Sequence, residues 1–158
     1  MKNIIIAGIP RSGKTTFAKL VLNNFPKYDI VEVDNIKVSE LRRFERLIFE
    51  FDITRPNFNI SKLVKCSQEG IIVLVFGYPD ISITNKVNEI IKYYDEDDLT
   101  YLESIKDIKK FASTYVKESK KIKKLCEQNN IMFIDTSNNR EEVLNELFLN
   151  IKNKIEEE

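Results

Sequence analysis

One octapeptide constrains this chain more than any other feature of its sequence. Residues Gly8 to Thr15 read GIPRSGKT and follow the pattern GxxxxGK[ST] without a gap. The continuous apolar run from Asn3 to Ala7 precedes it, as expected of a strand that is buried on both faces. A helical apolar pattern from Lys14 to Asn24 follows it. The octapeptide therefore lies where a buried strand turns into a helix.

The residue types in this loop suit the binding of a polyphosphate. Glycines let the backbone curl so that its N–H groups face phosphate oxygens, and the positive end of the next helix points at the same place. Lys14 can reach the β- and γ-phosphates, and the Thr15 hydroxyl can bind Mg²⁺. The alternative is a tight strand-to-helix turn without a ligand. The predicted nucleotide contacts are Gly8, Ile9, Pro10, Arg11, Ser12, Gly13, Lys14, Thr15 and Thr16.

Strands and helices alternate along the rest of the chain. Apolar patterns predict further strands at 30–34, 47–53, 71–76 and 131–134. Further helices are predicted at 36–44, 60–66, 83–93, 106–128 and 140–156. This alternation requires crossover connections and predicts an α/β fold with a mostly parallel sheet covered on both faces. Ligands of such sheets bind beyond the carboxyl ends of the strands, where Gly8, Asp34, Gly77 and Asp135 fall.

Composition excludes several classes of function. The chain has 158 residues, which favours a single domain over 1–158. Lys plus Arg and Asp plus Glu each total 25, and this balance argues against broad binding to nucleic acid or acidic membranes. Without a histidine, the chain has no imidazole base and no histidine zinc site. The two cysteines lack metal-type spacing, which indicates reduced, buried thiols. No stretch approaches the roughly 20 apolar residues of a membrane span. We therefore expect a soluble cytoplasmic protein.

Three carboxylates follow strands at the same predicted edge of the sheet. Asp34, after the second strand, can accept a proton from a substrate hydroxyl that attacks the γ-phosphate, or it can simply cap the next helix. Glu50 and Asp52, near the end of the third strand, can hold the waters around Mg²⁺ or can be solvated edge residues. The sequence leaves these alternatives open.

Arginines are scarce, and most of them follow the candidate base. Arg42, Arg43 and Arg46 can hold an anionic acceptor, since guanidinium groups suit planar anions, or they can form a solvated helix face together with Arg55. Arg11, inside the loop, can contact a phosphate or can be solvated. A guanine-reading NKxD motif is missing from the expected place, which favours adenine.

Beyond these residues, the chain resembles the small P-loop kinases, the group that contains adenylate, shikimate and gluconate kinases. GIPRSGKTT at 8–16 lies near the start of the chain, as it does in that group. VEVDN at 31–35 resembles the strand whose acid activates the acceptor hydroxyl, and FIDTSNNREEV at 133–143 resembles the last strand and the loop that packs on adenine. IIVLVFGYPDIS at 71–82 and YYDEDDLTY at 93–101 look like an uncharacterised bacterial branch of these kinases.

The resemblance implies a three-layer P-loop fold whose five-stranded sheet has the order 2-3-1-4-5. It implies ATP and Mg²⁺ as cofactors and Ser137 and Asn138 as contacts to adenine. A lid-like segment at about 94–105 would close over the nucleotide. The family's lid arginines have no counterpart in this chain, where Lys86 or Lys92 would have to substitute as point charges.

Two functions are compatible with these features. The first is an ATP-dependent kinase for a small metabolite, in which Lys14 and Arg11 stabilise the transferring charge, Thr15 holds Mg²⁺ and Asp34 acts as base. The second is a nucleotide-binding regulatory or interaction module without phosphotransfer, or a slow NTPase. The arginine-free lid and the short acceptor region after Asp34 motivate this second function.

Overall fold

The computed structural model describes residues 2–33, 41, 43–56, 58–93 and 103–156. The strands in this part of the chain are β1 (Ile4–Gly8), β2 (Asp29–Glu32), β3 (Leu47–Asp52), β4 (Ile72–Gly77) and β5 (Met132–Asp135). The helices in the same residues are α1 (Lys14–Asn24), α2 (Ile60–Gln68), α3 (Ile83–Tyr93), α4 (Ile105–Gln128) and α5 (Arg140–Glu156).

All five strands are parallel and lie in the order β2-β3-β1-β4-β5. In the centre, Ile4 of β1 pairs with Ile48 of β3 on one side and with Ile72 of β4 on the other. Parallel neighbours need crossover connections, which place helices over the faces of the sheet. The predicted α/β class and the predicted strand order are confirmed.

Side chains of β1 alternate between two apolar cores, one on each face of the sheet. Ile5 and Ala7 belong to the core that includes Cys66 of α2 and Cys126 of α4. Ile4 and Ile6 belong to the other core, which is completed by α1 and α5. Successive side chains of a strand point to opposite faces, so a strand buried on both sides needs an uninterrupted apolar run. This explains why the run before the loop is the clearest strand signal in the sequence.

The predicted boundaries of α1, α3 and α5 are confirmed, whereas α2 extends two residues beyond its predicted end. The Asn59 side chain caps its start by accepting from Ser61 N, and Gly70, with φ of +81°, lies just beyond its end. The predicted helix at 36–44 and the predicted lid at 94–105 lie mostly outside the described residues. None of the described helices combines the length and apolar character that crossing a membrane requires.

Both cysteines are free and buried, as the sequence predicted. They occupy equivalent places, because Cys66 O accepts from Ile71 N before β4 and Cys126 O accepts from Ile131 N before β5. Burial raises the pKa of the Cys66 thiol to about 11 and that of the Cys126 thiol to about 12. Both thiols are therefore protonated and unreactive at neutral pH.

The end of β1 passes very close to β4. Ile9 N donates to Phe76 O over 3.0 Å. A Cβ atom on Gly8 would lie 2.4 Å from the same Phe76 oxygen, and the φ of Gly8 is +154°. Only glycine therefore allows the chain to leave the sheet and enter the loop at this point.

We expect Gly8→Ala to lower the free energy of unfolding by at least about 2 kcal/mol, because two backbone segments would have to separate. Urea denaturation followed by circular dichroism measures this loss. Gly70→Ala is the matched control, since its φ is also positive but nothing lies within 4 Å of the added Cβ. It should cost about 1 kcal/mol. Equal losses in the two variants would contradict the close-contact explanation.

Candidate functional site

The loop between β1 and α1 curls through two left-handed residues. Arg11 has φ of +63° and Gly13, the residue before α1, has φ of +96°. Gly13 O accepts from Phe17 N over 2.9 Å, which begins the helical bonding of α1. The loop therefore ends directly on a helix N-terminus, where the helix dipole favours an anion.

Four consecutive carbonyl groups of this loop accept hydrogen bonds from side chains. The donor–acceptor pairs are Lys14 Nζ to Ile9 O (2.9 Å), Ser12 Oγ to Ile9 O (2.7 Å), Tyr78 OH to Pro10 O (2.7 Å), Lys86 Nζ to Arg11 O (2.7 Å) and Thr136 Oγ1 to Ser12 O (3.0 Å). Apart from Ser12, which belongs to the loop itself, the donors come from α1, from α3 and from the residues that follow β4 and β5. Each carbonyl is thus fixed by a group from a different part of the fold.

These bonds determine where the loop amides point. In a trans peptide the C=O and the following N–H point in opposite directions. Fixing the carbonyls of Pro10, Arg11 and Ser12 therefore turns the amides of Arg11, Ser12 and Gly13 to the opposite side of the loop. Successive amides that point the same way form a concave anion site. The contacts to Pro10, Arg11 and Ser12 therefore set the direction of these amides and give the loop a form that suits an anion.

Three of the side chains that fix the loop are ones that sequence reasoning missed. Tyr78 and Thr136 directly follow β4 and β5, so their position at the carboxyl ends of strands is the one signal that could have found them. Lys86 was expected to replace a lid arginine, but the structure places it, fully buried, beneath the loop. A lone buried tyrosine, threonine or lysine has no motif of its own.

Lys14 is buried at the mouth of the loop. Burial lowers the pKa of its ammonium group, while the charges of Glu50 and Asp52 act in the opposite direction. An anion bound at the loop would favour the charged form of Lys14, because opposite charges nearby raise the pKa of a lysine.

The two carboxylates of β3 differ in their contacts. The Thr15 hydroxyl donates to Glu50 Oε1 over 2.6 Å, and Glu50 Oε2 is buried without a hydrogen-bond partner among the described residues. Asp52 Oδ1 instead accepts from the backbone N–H and the hydroxyl of Thr54. Glu50 is therefore the carboxylate that is coupled to the start of α1, and Asp52 shapes the turn after β3. A hydroxyl beside an unsatisfied carboxylate oxygen fits a hard cation such as Mg²⁺.

Two cavities meet at the loop. One, of about 590 Å³, is lined by residues 11–16 and by Lys19, Leu20, Asn23, Tyr93 and Arg140. The other, of about 410 Å³, is lined by Pro10, Lys14, Glu32, Val33, Glu50, Phe51, Asp52 and Arg55. We call them the phosphate cavity and the β3 cleft. Lys14 lines both, whereas Gly8 and Ile9 are buried behind them.

Arg140 and Tyr93 form the outer wall of the phosphate cavity. Arg140 Nη2 donates to Thr16 Oγ1 over 3.1 Å, and its guanidinium lies 5.0 Å from the centre of the Tyr93 ring. The same two residues line a groove of about 800 Å³ between α3 and α5. The phosphate cavity therefore adjoins a wider groove at Tyr93 and Arg140.

Arg43 and Arg46, two of the three arginines predicted to hold an acceptor, do not lie at the loop. Arg42, like Asp34, falls outside the described residues. Arg43 and Arg46 are exposed at the opposite edge of the sheet, where Asn3 Nδ2 donates to Leu41 O and Phe44 O and Asp29 N donates to Arg46 O. The chain must return to the amino edge before β3 begins, which carries these residues away from the loop. Arg55, after β3, is the arginine that lines the cleft.

Ser137 and Asn138, the expected adenine contacts, line neither the two cavities nor the groove. Ser137 is buried, donates to Asp135 and accepts from Asp80 N, so it ties the ends of β4 and β5 together. Asn138 is exposed. Asn139 and Arg140, the next two residues, line the groove in their place.

No protein-family model matches this chain, and neither does any curated protein sequence. Among solved structures, the chain is similar to a shikimate kinase from Bacteroides thetaiotaomicron, with a TM-score of 0.47 and 13% sequence identity. The match covers 96% of this chain and 98% of that one.

We expect Thr136→Val to lower the free energy of unfolding by about 1–3 kcal/mol, because the nearly isosteric valine leaves the buried carbonyls of Ser12 and Gly77 without this donor. Thr114→Val is the matched control, since the exposed Thr114 hydroxyl bonds only within its own helix, to Lys110 O. Denaturation curves measure the stability, and amide hydrogen exchange at Gly13 reports the loop. A Thr136→Val protein as stable as the control would contradict the assigned contact.

Proposed function

We propose that this chain binds ATP with Mg²⁺ and transfers the γ-phosphate to a small metabolite that carries a hydroxyl or phosphate group. The observation that carries the proposal is the set of four fixed carbonyls, which turns three consecutive amides toward one side of the loop. A tight turn without a ligand would not require these contacts from three other parts of the fold. Phosphate binding explains them.

On the nucleotide side, the phosphate cavity provides the charges that a triphosphate requires. Lys14 reaches the β- and γ-phosphates, and Arg11, which lines the same cavity, stabilises the charge that is transferred. The groove that begins at Tyr93 and Arg140 receives the base, because an aromatic ring and a planar guanidinium are surfaces on which a nucleobase stacks. This assignment replaces Ser137 and Asn138 by Arg140 and its neighbours.

Thr15 and Glu50 are the residues that would hold Mg²⁺. The unpartnered Glu50 Oε2 supports this assignment, since a buried carboxylate oxygen requires a cation or a donor. When bound, the ion neutralises charge on the β- and γ-phosphate oxygens. Most of its remaining ligands would be water and phosphate, because the described residues contain no cluster of three acidic, cysteine or histidine side chains suited to a metal.

The β3 cleft is the proposed acceptor site. Val33 N donates to Glu50 O, so the chain still follows the edge of the sheet one residue before Asp34. Asp34 accepts the proton of the acceptor hydroxyl while the hydroxyl oxygen forms a bond to the γ-phosphorus. The bond between the γ-phosphorus and the β–γ bridging oxygen breaks, which releases ADP. Arg55 lines the cleft, and its guanidinium suits an anionic group of the acceptor.

We expect Lys14→Ala to weaken the binding of Mg²⁺-ATP at least about 100-fold, because the ammonium contact is lost and Ile9 O keeps only its bond from Ser12. Titration calorimetry on the folded variant measures the affinity. Lys109→Ala, an exposed lysine of α4, is the control and should bind within about twofold of the unchanged protein. An unchanged Mg²⁺-ATP affinity in Lys14→Ala would contradict the assignment of the loop as the phosphate site.

A panel of hydroxyl-bearing metabolites, assayed for ADP formation with ATP and Mg²⁺, tests the transfer step. We expect at least one acceptor to raise ADP formation and Asp34→Asn to lower kcat by about 10²–10⁴ while Mg²⁺-ATP affinity stays unchanged. Asp29→Asn is the control, since the exposed Asp29 lies at the other end of β2. If no acceptor has an effect and nucleotide still binds, the chain is a binding module without phosphotransfer.

A further inference from the structure

A second lysine lies buried beside the phosphate loop, in addition to Lys14. Lys86 of α3 has no exposed surface and is among the largest fully buried side chains of the described residues. A buried ammonium group is unfavourable unless it has partners. Glu89, one turn later on the same helix, supplies one of them through an ion pair.

The other partners of Lys86 lie on the loop and beneath it. Its Nζ donates to Arg11 O over 2.7 Å and lies 3.6 Å from the centre of the Tyr78 ring, whose hydroxyl donates to Pro10 O. Arg11 holds a left-handed φ of +63° without being glycine. Because the Arg11 carbonyl points at Lys86, the Ser12 amide points the other way, into the phosphate side of the loop.

Glu89 connects Lys86 with a second helix. Arg140 of α5 also contacts Glu89, with Nη1 3.4 Å from the carboxylate, and its Nη2 donates to Thr16 at the start of α1. One carboxylate is therefore shared by two cations that each bond to the segment containing the loop. The cluster of Lys86, Glu89 and Arg140 carries a net positive charge next to the phosphate cavity.

We propose that Lys86 is a positioning residue of the phosphate site: through the Arg11 carbonyl it sets the direction of the Ser12 amide, and through Glu89 it couples α3 and α5 to the loop. The inference rests on the proposed binding of nucleotide at this loop. Lys86 lies behind the backbone, so it acts on the phosphate through the Ser12 amide rather than by direct contact.

A purely structural role does not explain a lysine at this position. Burial lowers the pKa of Lys86 to about 8, even though Glu89 acts in the opposite direction. Between about pH 8 and the unfolded value of 10.5, the unfolded chain binds more protons than the folded chain, so the contribution of this group to stability rises with pH. At neutral pH the buried charge therefore opposes folding. Methionine would fill similar space without that cost.

The test compares Lys86→Met with Lys121→Met in the full chain. Lys121 forms the same kind of pair three residues from a glutamate, Glu118, but on the exposed face of α4. Thermal melting measures stability, amide hydrogen exchange of residues 11–13 measures loop order without ligand, and calorimetry measures Mg²⁺-ATP affinity from pH 7 to 9.5. If Lys86→Met does not fold, Lys86→Gln, which keeps an N–H donor without the charge, replaces it.

We expect Lys86→Met to melt within about 4 °C of the unchanged protein. Its Ser12 amide should exchange at least about 10-fold faster, and its Mg²⁺-ATP affinity should fall about 10-fold or more, as expected when one amide contact to a charged group is misplaced. Lys121→Met should change none of these. A loop that exchanges as slowly as in Lys121→Met overturns the inference.

The pH dependence of the Mg²⁺-ATP affinity distinguishes a positioning residue from a merely structural one, which would not change it. The affinity of the unchanged protein should fall above about pH 8, and Lys86→Met should lack that part of the decline. The groups that face Lys86 are Glu89 on α3, Arg140 on α5, Arg11 in the loop and the Tyr78 phenol, with Tyr115 of α4 beyond it. Lys14 is present in both proteins, so the difference between them isolates Lys86. Identical profiles would contradict the inference.

The design separates the two proposals. If the unchanged protein does not bind Mg²⁺-ATP but the exchange of Ser12 responds to Lys86→Met, the proposed function fails and the positioning of the loop by Lys86 stands. If the unchanged protein binds Mg²⁺-ATP and Lys86→Met matches Lys121→Met in exchange and affinity, the inference alone fails.

Discussion

The four fixed carbonyls of the phosphate loop are the constraint on which the rest of the site depends. Their donors come from the end of β4, the end of β5, α3 and α1, so these elements must meet at one edge of the molecule. A parallel sheet with crossover helices places all carboxyl ends of its strands at one edge, which satisfies this requirement. The parallel topology therefore determines the direction of the loop amides as well, because it brings the donors that fix the carbonyls to one edge.

Holding the loop in this form has a free-energy cost. Arg11 adopts a left-handed backbone, and both Lys14 and Lys86 are buried. For Lys86, a pKa lowered from 10.5 to about 8 corresponds to about 3 kcal/mol against the charged form. This net penalty already includes the opposing effect of the Glu89 carboxylate. What remains is a positive, amide-lined surface, which is the arrangement that an anion site organised before its ligand arrives would require.

The sequence predicts well those features that are encoded by neighbouring residues, and it predicts poorly the contacts between residues that are far apart in the chain. The loop, α1 and the strand order follow from one motif and from apolar patterns that are local in the chain. Tyr78, Lys86 and Thr136 are single residues whose role exists only after the crossovers bring them to the loop. Arg43 and Arg46 show the converse. They lie near a candidate base in sequence, but the chain returns to the opposite edge of the sheet before β3 begins, and their exposure agrees with the solvated alternative.

Glu50 and Asp52 show how the structure decides between residues that the sequence leaves equivalent. They are two apart on β3, so their side chains share a face of the strand, and their register partners on β1 are Ile6 and Gly8. The Asp52 oxygen is used by the backbone and hydroxyl of Thr54, whereas Glu50 keeps one buried oxygen unpartnered while the other accepts from Thr15. A turn satisfies the first carboxylate. The second keeps an oxygen that a cation or a hydrogen-bond donor would satisfy, which is why Glu50 rather than Asp52 is the carboxylate proposed for the metal.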